Sequence, residues 1–171
     1  MKMPVPTAIG LIAGLCMIII SLTIYYLRGS FDGEAQYAAY VFYLGSVMYC
    51  QYLLFRSAEE KLSFGRFFSE GFRTFIVITF IMVLFTWLFL KLHPVMLEDM
   101  ARQVRDNLVK SGNRTPMQIA AEVADAKKKF ITFFTSVAIF GYLMIGSLGS
   151  LIGALFFTAK MSSRKESQPK N

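Results

Sequence analysis

The chain has 171 residues, of which 55% are hydrophobic and 15% aromatic, and only 17% are charged, where an ordinary soluble domain carries about a quarter. That balance excludes a soluble globule. The formal net charge is +7, yet the basic residues flank apolar runs and form no basic region interleaved with aromatics, which excludes a nucleic-acid-binding domain and makes anionic lipid headgroups the fitting partner.

A helix needs about 20 mostly apolar residues to cross roughly 30 Å of hydrocarbon, and four segments meet that test. The first covers about 7–27 (TAIGLIAGLCMIIISLTIYYL) and the second about 35–55; neither has a charge inside. The first is too long for the apolar core of a signal peptide and lacks a small-residue exit. Leu15 before Cys16, and the apolar run beyond it, count against a lipid-modified cysteine. Cys16 and Cys50 both lie inside these runs, where free cysteine acts as a small hydrophobe.

The next stretch, residues 63–75, reads SFGRFFSEGFRTF. Its phenylalanines fall at 64, 67, 68, 72 and 75, a spacing of three and four that gathers them on one helical face, with Arg66, Glu70 and Arg73 opposite. Ser63 is the expected N-cap, and Glu70 can pair with either guanidinium. The spacing predicts an amphipathic helix over about 63–71 that lies on the membrane surface and leads into a third span at about 72–92. Its functional alternative is a contact with lipid headgroups or a partner through Arg66 and Arg73. A lone carboxylate between two arginines is an ion-pair partner rather than an acid catalyst.

Leu62, Ser63, Phe64 and Gly65, followed by Phe68 and Gly71, together with four apolar helices and a charged helical insert before the last of them, resemble a bacterial four-helix membrane family, number 4199 among the domains of unknown function. The resemblance covers nearly the whole chain. It implies the architecture and carries no activity, substrate or cofactor.

Between the third and fourth spans lies a polar segment, about 94–128. Leu97, Met100, Ala101, Val104 and Leu108 recur at helical spacing, and Glu98–Arg102 and Arg102–Asp106 are four-residue charge pairs on the opposite face. Gly112 is the stop. Thr115-Pro116-Met117-Gln118 then reads as a helix start: threonine cap, proline at the first position, glutamine completing a capping box. Ile119, Val123, Ala126 and Phe130 continue the stripe with no breaker before the fourth span at about 130–159. The product is an extramembrane helical hairpin about 25 Å tall at 1.5 Å per residue. A disordered basic tail is expected over about 161–171.

Within membranes, chemistry is usually carried by ionisable side chains at depth, and none stands at mid-span here. His93, alone before Pro94, has no metal-ligand spacing. No nucleophile elbow, phosphate loop or Cys-x-x-Cys pair is present. No catalytic, cofactor-binding or metal-binding residue is therefore assigned. Gly10-Leu-Ile-Ala-Gly14 and Gly149-Ser-Leu-Ile-Gly153 are GxxxG patterns, expected to pack the first helix on the fourth or to form a dimer face. Arg66, Glu70, Arg73 and the run Lys127-Lys128-Lys129 are the candidate lipid or partner contacts, Lys129 pairing with Asp125.

The expected protein is thus all-α: four transmembrane helices with a hairpin between the third and fourth. It belongs in a bacterial cytoplasmic (inner) membrane, and lysines and arginines concentrated in short segments put both termini on the cytoplasmic side. The expected role is a non-enzymatic scaffold or accessory subunit for a protein partner; the alternative is a small transporter or channel formed as a homo-oligomer.

Overall fold

The computed structural model describes residues 5–28, 35–58 and 60–166. They form five helices: α1 (Val5–Arg28), α2 (Ala35–Ser57), α3 (Phe64–Leu92), α4 (Pro94–Ser111) and α5 (Pro116–Glu166). Four of them, α1, α2, α3 and α5, are long and apolar enough to cross a membrane. The chain divides into two compact units. One comprises α1, α2, α3 as far as Met82 and α5 from Gly141; the other spans Val83–Phe140.

In the first unit, α2 buries Ala39, Tyr43, Val47, Cys50, Gln51 and Phe55 at the three- and four-residue spacing of one helical face. The GxxxG glycines take positions different from both expected arrangements. A Cβ on Gly10 would lie 2.8 Å from Val77 Cβ, and one on Gly14 would lie 2.7 Å from Ile81 Cδ1, so α1 packs on α3. Gly149 abuts Leu44, so α5 packs on α2. Glycine opens a notch in one helix that a branched side chain of another fills, and here Val77, Ile81 and Leu44 are the fillers.

The lead into α3 also differs from expectation. Phe55, Phe67, Ala154, Phe157 and Met161 form a buried cluster, and Leu62, Phe64 and Phe68 pack against it. The Phe67 ring stacks on Phe157 with centroids 6.0 Å apart, and the Leu62 N–H reaches Met161 Sδ at 3.2 Å. The phenylalanine face is therefore taken up by α2 and α5, and α3 runs unbroken from Phe64 to Leu92 without a separate surface-lying helix. Phe72 alone of the five is exposed. Ser63 contributes its carbonyl, which accepts from Arg66 N–H at 3.0 Å. Because Met161 is buried and α5 is helical to Glu166, the start of the expected disordered tail is helix instead; residues 167–171 lie outside the described residues.

The second unit holds the end of α3, all of α4 and the first part of α5. Phe89 and Leu90 are buried at the end of α3, and the His93 ring stacks on Phe89 at 4.0 Å. Pro94 opens α4, and Gly112 closes it in the left-handed region, φ 67°, its N–H donating to Val109 O at 3.1 Å; only glycine enters that region without a Cβ penalty. The capping box of α5 is reciprocal: Thr115 N–H donates to Gln118 Oε1 at 2.9 Å and Gln118 N–H to Thr115 Oγ1 at 3.4 Å. Ala101 is buried, and Leu97, Val104, Leu108, Ile119 and Val123 are half-buried on the expected stripe. Glu98 of α4 pairs with Lys127 of α5 at 2.6 Å rather than with Arg102 on its own helix.

Candidate functional site

Helix α2 carries two polar side chains, Tyr43 and Gln51, on its buried face, eight residues apart and hence about two turns. Gln51 is fully buried. Its Nε2 donates to Phe67 O of α3 at 3.2 Å and to Ser150 O of α5 at 2.8 Å, while Ser150 Oγ donates to Phe68 O at 3.1 Å. Thr74 Oγ1 donates to Glu70 O one turn further along α3, at 2.9 Å. Two glycines make room for this node. A Cβ on Gly71 would stand 2.5 Å from both Gln51 Nε2 and Ser150 Oγ, and one on Gly153 would overlap Gln51 Oε1. That oxygen, pressed against the α5 backbone, has no hydrogen-bond donor among the described residues.

Two turns away, Tyr43 forms the second layer. Its hydroxyl donates to Tyr142 O at 3.0 Å and accepts from Thr79 Oγ1 at 3.2 Å. Gly146 leaves the space the phenol occupies, and the Tyr142 ring meets that of Tyr43 edge-on at 5.9 Å. Amides and hydroxyls in this arrangement join α2, α3 and α5 through the carbonyls of one another's backbones. Interhelical hydrogen bonds of this kind contribute about 0.6 kcal/mol each in membrane proteins; their chemistry is cohesion and register.

The expected contact residues fall in both units. In the first, Arg66 and Arg73 are exposed, but Glu70 is largely covered, its side chain 12% accessible against 59% for Arg73, whose Nη1 lies 3.8 Å from Glu70 Oε1. The three therefore do not form one solvated face. In the second, Lys127 is committed to Glu98 and Lys129 to Asp125 at 2.8 Å, as expected for the latter pair, whereas Lys128 is exposed and has no ion pair among the described residues. His93 places Nδ1 3.0 Å from Phe89 O.

Sequence reading passed over Gln51, Tyr43, Thr79 and Ser150 because it weighed charges alone. The signal was present: an amide inside a 20-residue apolar run must find partners within the protein. Three of the motif residues now have roles, since Phe64 and Phe68 pack on the buried cluster and Gly71 seats Gln51 and Ser150. Gly65 has nothing within 4 Å of a would-be Cβ, and no packing reason for it emerges. The profile of the family described as Protein of unknown function (DUF4199) matches residues 8–159. No curated protein and no solved structure matches the chain.

Proposed function

The chain belongs to that family, and from its own side chains we propose that it is an integral membrane protein acting as a scaffold or accessory subunit, with the α4–α5 hairpin as the surface that a protein partner contacts. The observation that carries this reading is how the hairpin is built. A left-handed glycine stop, a reciprocal capping box and the Glu98–Lys127 and Arg114–Glu122 ion pairs hold it together, while Val109 and Met117 beside its turn keep 57% and 85% of their surfaces exposed. Apolar side chains standing out of an otherwise charged, pre-ordered element suit docking better than solvation.

The polar side chains of the helices that can span a membrane support the same reading, because Gln51, Ser150, Tyr43 and Thr79 are engaged in joining helices. We place the protein in a bacterial cytoplasmic membrane with both termini inside, on the distribution of lysines and arginines. Photo-crosslinking residues at positions 109 and 117, activated in native membranes, test the proposal. The expected result is one discrete adduct with a different protein, lost when Val104→Asp loosens the hairpin. A ladder of copies of this chain would instead support an oligomeric transporter or channel, and no adduct at either position would overturn the docking role.

A further inference from the structure

Between α1 and α2, within the first unit, lies an open groove of about 400 Å³, inside the roughly 300–1,000 Å³ typical of ligand pockets. Ile9, Ile12 and Ala13 form one wall, and Phe42, Gly45 and Tyr49 the other. Ser46 also borders it, but its hydroxyl donates to Phe42 O at 2.8 Å and so adds no free polar group. Gly45 sets the shape: a Cβ there would meet nothing within 4 Å. The groove is thus apolar, laterally open, and set in two helices apolar enough to cross a membrane.

What lies beyond the groove identifies its occupant. Tyr49 and Tyr52, both exposed, bring their rings within 6.5 Å of each other one turn further along α2, and tyrosines favour the level of lipid headgroups. Seven residues past Tyr49, a step that returns to within about 20° of the same helical face, stands Arg56, exposed and without an ion pair among the described residues. From Gly45 to Arg56 the helix rises about 16 Å, close to half of a bilayer's roughly 30 Å of hydrocarbon. An acyl chain seated in the groove would therefore bring its phosphate to the guanidinium.

We propose that the α1–α2 groove is a binding site for an anionic phospholipid, one acyl chain lying over Gly45 and the headgroup phosphate held by Arg56. The site is independent of the hairpin's docking role.

Native mass spectrometry of the full chain in mild detergent, with phosphatidylglycerol and phosphatidylcholine supplied at equal concentration, tests it. The parent should retain phosphatidylglycerol in about fivefold preference, the worth of one basic side chain at an anionic surface. Gly45→Leu, at a position where a Cβ meets nothing within 4 Å, projects its side chain into the groove and should remove most of the adduct of either lipid, with an unchanged elution profile as proof of folding. Arg56→Gln, at an exposed position, should keep the adducts and level the preference. Undiminished adducts in Gly45→Leu would overturn the groove as the seat. Equal retention of both lipids by the parent, or a preference that survives Arg56→Gln, would overturn Arg56 as the headgroup ligand. A second copy of the chain in place of lipid, lost with Gly45→Leu, would show the groove to be an interface between copies and would overturn the proposal.

Discussion

Gly153→Ala is a small change with a large expected effect, because the added methyl would occupy the position of Gln51 Oε1. Two responses are open to the protein. If Gln51 swings away, its bonds to Phe67 O and Ser150 O are lost, at about 0.6–1.5 kcal/mol each, or roughly 1–3 kcal/mol together. If it stays, α5 must move off α2, and such overpacking costs about 1–3 kcal/mol. Alanine's better helix propensity offsets about 1 kcal/mol of either. The net loss is then up to about 2 kcal/mol, whereas Gly141→Ala on the same helix, where a Cβ meets nothing within 4 Å, should gain up to about 1 kcal/mol, so that the two variants differ by about 1–3 kcal/mol. Unfolding in detergent, followed by loss of helical circular dichroism, separates the two variants. Repeating Gly153→Ala in a Gln51→Ala background isolates the contact: with the amide gone, the methyl should be tolerated and most of the loss should vanish. Equal stability of Gly153→Ala and Gly141→Ala, or an undiminished loss in the Gln51→Ala background, would refute the assignment of Gly153 as the seat of Gln51.

The hairpin yields three further expectations. Val104→Asp puts an unpaired carboxylate on the half-buried stripe and should destabilise the hairpin by about 1–3 kcal/mol, seen as new tryptic cleavage near Arg102 or Arg105 in reconstituted protein whose membrane insertion is unchanged. Thr115→Ala removes the acceptor for Gln118 N–H and should cost about 1 kcal/mol, read as faster amide exchange confined to the first turn of α5. Gly112→Val forces a branched residue into φ 67° and should cost at least about 1–2 kcal/mol, with cleavage appearing at Lys110 and Arg114; unchanged cleavage would mean that the turn re-forms without the left-handed residue.

Sequence by itself determined whatever depends on neighbours along one helix. Apolar length marked the four candidate spans, and Gly112 and the Thr115–Gln118 box set the hairpin's turn, because caps and stops are satisfied within a few residues of the chain. The Asp125–Lys129 pair is of the same local kind. Tertiary structure decided which surface answers which. A glycine pair announces that a backbone can be approached but not by whom, so the pairing of α1 with α3 through Val77 and Ile81 was invisible, as was that of Gly153 with Gln51. Glu98 had a partner four residues away in the chain and took one 29 residues away, since the pairing of α4 with α5 brings Lys127 beside it. The phenylalanines after Ser63 suit a membrane surface as well as they suit a protein core; the rings of Phe55 and Phe157 turned that face inward. Periodicity fixes which side of a helix is apolar, and the partner that covers it is chosen by shape, which the linear pattern does not carry.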